Sequence, residues 1–102
     1  MGRYLFSNQA AADLADLYCY GYAHHGEQQA DAYAESLRQT CHLLADYPLM
    51  NRERHEFMPP VHIHHHQQHL IVYRVEFDHI VIVRFLHNRM DIQRHLEDQY
   101  DS

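Results

Sequence analysis

The chain has 102 residues, of which 46% are hydrophobic and 22% charged, a composition typical of a single globular domain over residues 1–102. All 8 basic residues are arginine, and the formal net charge is -6 with the 12 histidines neutral. Direct nucleic-acid binding is not expected, because an acidic chain offers few cationic side chains to neutralise a phosphate backbone. The longest apolar stretches, LIVY and IVIV, are too short to span a membrane, which predicts a cytoplasmic protein without membrane contact.

The N-terminal half is predicted to form a short strand and two helices. RYLFS forms the strand, and Ser7 is placed to cap the following helix, since a serine hydroxyl accepts a hydrogen bond from the first turn. From Asn8 to about His24 apolar residues recur at three- and four-residue steps, and HHGE breaks this helix at Gly26. A second helix with the same rhythm runs from about Glu27 to Ala45, so the two form an antiparallel hairpin.

The C-terminal half is predicted to form a loop, three strands and a short helix. LMNRERHEFMPP shows no sustained period, whereas residues 61–66, 69–76 and 79–87 are strand-like. RMDIQRHLED predicts a short helix or turn that Asp91 caps. The order β-α-α-β-β-β-α predicts an α+β fold in which the helical hairpin packs on a small antiparallel sheet.

The stretch VHIHHHQQH places five histidines within nine residues. On a strand, His62, His64 and His66 project to one face and His65 to the other, so adventitious binding of Zn²⁺ or Ni²⁺ at the first three is chemically open. No separate motif supplies a further ligand with its supporting hydrogen bonds, so neither a dedicated metal site nor a cofactor is predicted. The favoured interpretation is an edge strand whose histidines face solvent.

The segment LIVYRVEFDHIVIVRFLHNRMDIQRHL (Leu70–Leu96) resembles the C-terminal half of the ParE toxins of the RelE/ParE superfamily. In that family a strand of the type H-[LVI]-[IV]-x-Y-R-V, a hairpin, a strand ending R-[VIF]-L-H and the phrase M-D-x-x-x-H-L follow in this order. The N-terminal half is similar to the family's strand, Asp-Leu helix, glycine-containing turn and second helix. The resemblance covers essentially the whole chain and implies the RelE/ParE-like fold.

The resemblance implies a toxin of a bacterial type II toxin–antitoxin system that takes part in the stress response. Such a toxin binds a protein target, DNA gyrase, and a ParD-like antitoxin neutralises it in a hetero-oligomer. The superfamily also offers a ribosome-dependent mRNA endoribonuclease of RelE type, and a detoxified homologue is a third alternative. The lack of a dense Lys/Arg cluster favours the non-enzymatic protein binder over the ribonuclease.

The resemblance also directs attention to the polar residues of the C-terminal half. The candidate partner-binding residues are Arg74, Arg84, His87, Arg89 and Arg94. In the ribonuclease alternative, Arg74, Arg84 and His87 would be catalytic. Upstream, Met58, His62 and Gln68 occupy positions at which family members often carry arginine, so the histidine tract lies in a segment that is usually basic.

Overall fold

The computed structural model describes residues 2–90, 92 and 94–96. In chain order the elements are β1 Tyr4–Phe6, α1 Asn8–His25, α2 Glu27–Asp46, β2 Glu53–Arg54, β3 Val61–His66, β4 His69–Val75 and β5 Ile80–His87. Five strands form one sheet in the order β1-β5-β4-β3-β2. Ile92 and residues 94–96 are helical, whereas Asp91, predicted to cap this segment, lies outside the described residues.

The predicted α+β class and its helical hairpin are confirmed, with element bounds close to those expected. The sheet differs from the prediction in direction, because β1 runs parallel to β5 with Tyr4 opposite Ile80. A short β2 within the predicted loop also pairs with β3, with Glu53 opposite His62. The sheet is therefore mixed, since the direction in which a terminal strand joins a sheet depends on the path of the whole chain and not on local periodicity.

The helical hairpin begins at a cap and turns at a single glycine. Ser7 Oγ accepts from the Ala10 N–H at 3.0 Å and donates to the Val83 carbonyl at 2.8 Å, so the predicted cap also joins α1 to β5. Gly26 alone connects α1 to α2 and has φ +88°, a conformation that glycine adopts without steric penalty. The predicted helix break at this residue is confirmed.

An apolar cluster lies on each face of the sheet. The cluster beneath the two helices contains Ala10, Leu37, Cys41, Leu44, Ala45, Ile71, Tyr73, Ile80, Ile82 and Phe85. The cluster on the opposite face contains Phe57, Val61, Ile63, Leu70, Val72, Val83, Leu86 and Leu96. Because β4 and β5 contribute to both clusters, their sequences are apolar at nearly every position, as expected for central strands covered on both faces.

Candidate partner-binding groove

A groove of about 880 Å³ opens at the end of the sheet where β3 turns into β4. Helices α1 and α2 form one wall, and the β3–β4 turn and the end of β5 form the other. Its surface combines apolar and polar side chains, among them Leu17, Phe85, Met90, Asp16, Gln68 and His69. A concave surface with an apolar lining and a few polar groups is typical of a site that binds a ligand or a segment of a partner.

A bidentate ion pair joins the two walls beneath the groove. Arg84 Nε donates to Asp13 Oδ2 at 2.7 Å and a terminal guanidinium nitrogen donates to Oδ1 at 3.0 Å. The Phe85 N–H donates to the same carboxylate at 3.0 Å. The side chains of Arg84 and Asp13 are only 11% and 12% exposed, so this pair works in a largely water-free setting where each charge depends on the other.

A β-bulge in β5 directs the Arg84 side chain toward α1. Opposite β4, Val72 pairs with Arg84 while the next residue, Tyr73, pairs with Ile82, so Val83 is an extra residue on β5. A bulge of this kind bends the strand and redirects side chains. Val83 accordingly belongs to the cluster on the far face, whereas Arg84 reaches the carboxylate on α1.

Two of the five predicted partner-binding residues lie at the groove. His87 lines it, and Arg84 lies beneath it in the ion pair with Asp13, which also lines the groove. Arg84 is therefore engaged with Asp13 in a largely buried ion pair, and its contact with a partner stays a prediction. The signal was present in the sequence: Asp13 interrupts the apolar stripe of α1, and Arg84 interrupts an apolar strand, a combination typical of a buried pair.

The remaining three arginines are spread over the surface. Arg74 follows the helix-facing Tyr73 and therefore projects from the other face of β4, where its Nε donates to Glu76 Oε1 at 3.1 Å. Arg89 is exposed beside the groove, and its backbone N–H donates to His87 Nδ1 at 3.2 Å. Arg94 is also exposed.

The prediction that the histidine tract faces solvent holds for His65, which is exposed, and is wrong for His62. His62 is only 3% exposed, stacks on Tyr73 at 5.1 Å between ring centroids, and donates from Nδ1 to the Asn51 carbonyl at 2.7 Å. Asn51 Nδ2 lies 3.0 Å from His64 Nδ1. These alternate positions of β3 face α2 and the loop after it, where polar partners satisfy the imidazoles, while β2 covers part of the strand edge.

The imidazoles on this face of β3 pack against α2 and the loop after it and contact polar groups there. Within the described residues, no group of three or more His, Cys, Asp or Glu side chains has an arrangement that could hold a metal ion. The ring nitrogens of His66, the third histidine on this face, contact Ser36 Oγ at 3.0 Å and Thr40 Oγ1 at 3.2 Å instead.

Two helices on a mixed sheet define a small α+β protein with a groove at one end of the sheet. The sequence matches the family described as the ParE toxin of the type II toxin–antitoxin system parDE over residues 4–92. It is 31% identical to Toxin ParE1 of Caulobacter vibrioides over 96 residues, which cover 94% of this chain and 99% of the relative. It is 33% identical to Toxin ParE1 of Mycobacterium tuberculosis over 95 residues, or 92% and 97% of the two chains.

The fold is similar to that of a chain in a solved structure of a chromosomal ParDE system from P. aeruginosa, with a TM-score of 0.73. The match has 20% sequence identity and covers 85% of this chain and 96% of the other. The chain therefore belongs to the ParE toxin family of type II toxin–antitoxin systems. ParE toxins are not enzymes, so the ribonuclease alternative is set aside. No helix in the described ranges is long and apolar enough to cross a bilayer.

Proposed function

We propose that the groove between the helical hairpin and the β3–β5 end of the sheet binds a ParD-like antitoxin in a hetero-oligomeric complex. When free, the toxin inhibits growth in the cytoplasm by binding DNA gyrase. Membership of the ParE family supports this proposal, as does the solved ParDE system with the same fold. The observation that carries it is the groove itself, whose volume of about 880 Å³ lies within the range typical of binding pockets.

The lining of the groove suits an amphipathic helix. Leu17 and Phe85 offer an apolar floor, and the amides of Gln67 and Gln68 lie on the rim. An amphipathic helix binds such a groove by placing its apolar face on the floor and its polar side chains at the rim. In this proposal His87 contacts the antitoxin directly, and Arg89 pairs with acidic residues of the partner at the edge.

The other arginines have separate roles in the proposal. Arg84 acts through Asp13 and keeps α1 at the correct distance from β5. Arg94 is exposed in the C-terminal helical segment, where it offers a further positive charge to acidic residues of the antitoxin. Arg74 lies on the opposite face of the sheet, so a partner that contacts it must extend beyond the groove, as a wrapping antitoxin segment does.

Filling the groove should weaken binding of the antitoxin. Ala32 is exposed and lines the groove, so Ala32→Trp places an indole where the partner helix lies without disturbing the core. We expect the Kd for the ParD-type antitoxin of the same operon to rise by about tenfold or more, which corresponds to about 1.4 kcal/mol. Isothermal titration calorimetry measures this change.

Ala12 offers a matched control for this experiment. It is an exposed alanine on α1 that does not line the groove, so Ala12→Trp adds the same side chain elsewhere on the hairpin. The antitoxin should bind this variant as tightly as the unmodified chain. If both substitutions weaken antitoxin binding equally, or if neither weakens it, the antitoxin does not bind in this groove.

The proposed target is tested by adding the purified chain to DNA gyrase and relaxed plasmid. We expect supercoiling to be inhibited, and activity to return when the antitoxin is added first. In cells, the chain expressed alone should cause filamentation and DNA-damage signalling. An immediate stop in translation with cleaved mRNA would contradict gyrase as the target, and normal growth together with unimpaired gyrase would indicate a detoxified homologue.

A further inference from the structure

Three histidines form a row across neighbouring strands at the end of the sheet. His66 on β3 lies opposite His69 on β4, and His69 lies opposite His87 on β5. The rings of His69 and His87 meet edge to face with centroids 5.5 Å apart. Side chains directly opposite each other on adjacent strands are close neighbours, so the three imidazoles share one environment. We call His66, His69 and His87 the histidine row.

The histidine row connects the β3–β4 turn to α2. His66 Nε2 lies 3.0 Å from Ser36 Oγ, and His66 Nδ1 lies 3.2 Å from Thr40 Oγ1. His69 Nδ1 lies 2.7 Å from the Tyr33 hydroxyl. Every one of these partners is on α2, so the row fixes the turn, and with it one wall of the groove, against the second helix.

The titratable and charged groups around the row lie on α2, β3, α1 and the segment after β5. Tyr33 on α2 faces the row, and its hydroxyl contacts His69. His64 and His65 lie near His66 on β3. Across the groove α1 presents Asp13, Asp16 and His25, and Asp13 is already engaged by Arg84. Beyond the end of β5 lies Arg89, whose backbone N–H donates to His87 Nδ1.

Burial and mutual repulsion both disfavour protonation at this end of the sheet. Burial lowers the pKa of His66. Burial also lowers the pKa of His69, and the neighbouring His87 and His66 lower it further. The pKa of His64 is lowered by burial and then by His66 and His65. His64, His66 and His69 are partly buried and lie close together, so they resist taking up protons at the same time.

The hydrogen bonds of His66 favour its charged form, but burial outweighs them, since the pKa of His66 is lowered. The hydroxyl of Ser36 also donates to the Tyr33 carbonyl at 2.8 Å, and that of Thr40 donates to the Ser36 carbonyl at 2.9 Å. Both hydroxyl oxygens can accept from a doubly protonated His66, so these two hydrogen bonds by themselves do not make the contact sensitive to acid. Release of the turn in acid depends on two other effects. The free-energy cost of protonation comes from desolvation and from the repulsion between adjacent cations.

We propose that the histidine row is a proton-sensitive contact that holds the β3–β4 turn against α2 at neutral pH and releases it in acid. The sign follows from linkage: where the folded chain binds protons less readily than the unfolded chain, unfolding takes up protons. The stabilisation is complete above the unfolded pKa of about 6.5 and decreases as the pH falls toward the lower folded values. Because His69 lines the groove, its protonation also loosens this wall.

Thermal unfolding of the full chain in buffer with EDTA tests this proposal, since EDTA removes any metal held by the histidines. We expect the Tm to be lower at pH 5.5 than at pH 7.5 by about 5 °C or more. In the variant His66→Gln/His69→Gln/His87→Gln, which keeps polar side chains but cannot charge, at least half of this loss should disappear. An unmodified chain with equal Tm at both pH values, or a variant with the full loss, would overturn the proposal.

A matched control carries the same three substitutions at exposed positions. His24, His42 and His55 are exposed, so His24→Gln/His42→Gln/His55→Gln should show the full acid loss of the unmodified chain. If the row variant does not fold, the ring protons of His66 and His69 in the unmodified chain provide a second measurement by NMR titration. Midpoints below about 6.5 support the row, and midpoints at or above that value overturn it.

Discussion

Replacing Asp13 by alanine is expected to lower the free energy of unfolding by about 3–5 kcal/mol. The change leaves the buried Arg84 guanidinium without its carboxylate and removes the acceptor of the Phe85 N–H. An uncompensated buried charge and an orphaned donor both carry high desolvation penalties. Urea denaturation followed by circular dichroism measures the loss.

Two further variants separate the ion pair from a general effect on α1. Asp16 is an exposed acidic residue on the same helix, so Asp16→Ala should change the free energy of unfolding by no more than about 0.5 kcal/mol. The double variant Asp13→Leu/Arg84→Met replaces both charges by apolar groups and should recover much of the stability that Asp13→Ala loses. Equal destabilisation by Asp13→Ala and Asp16→Ala would show that the buried pair is not the cause.

Leu37→Ala should destabilise the chain by about 2–5 kcal/mol. Leu37 lies on the buried face of α2 and belongs to the cluster that joins the helical hairpin to the sheet. Removing its side chain loses the transfer free energy of the buried carbons and leaves a cavity, because the surrounding strands relax only in part. Thermal or urea unfolding gives the difference directly.

Leu43 provides the control, since it has the same side chain on the same helix but is 42% exposed. Leu43→Ala should change the free energy of unfolding by about 0.5 kcal/mol or less. If the two substitutions have similar effects, α2 does not pack on the sheet through the face described above. Normal antitoxin affinity in a folded Leu37→Ala protein would further separate stability from the proposed groove contact.

Local patterns predicted the elements well because each pattern spans only a few residues. The three- and four-residue rhythm of α1 and α2, the cap at Ser7 and the break at Gly26 all depend on neighbours in the chain. The nearly continuous apolar character of β4 and β5 likewise indicated central strands, and the clusters on both faces confirm this. The parallel direction of β1 was not predictable in this way.

The candidate site was predictable only in part. The resemblance directed attention to His87, which lines the groove, and to Arg84, which lies beneath it. It also grouped Arg74 with them, although alternation along β4 places that residue on the other face. The polar composition of the histidine tract favours exposure, but composition does not reveal the partners that α2 and the loop after it supply.

The sequence by itself determined the order of the elements, the helical hairpin, the central strands and the family, because helical and strand periods and family motifs are written in contiguous residues. Only the tertiary structure decided that Asp13 meets Arg84, 71 positions away, and that three histidines from three strands line up beside α2. Such contacts depend on register, on the bulge at Val83 and on how the helices lie over the sheet. These are properties of the packed chain, in which burial and neighbouring charge give a side chain chemistry that its sequence position does not show.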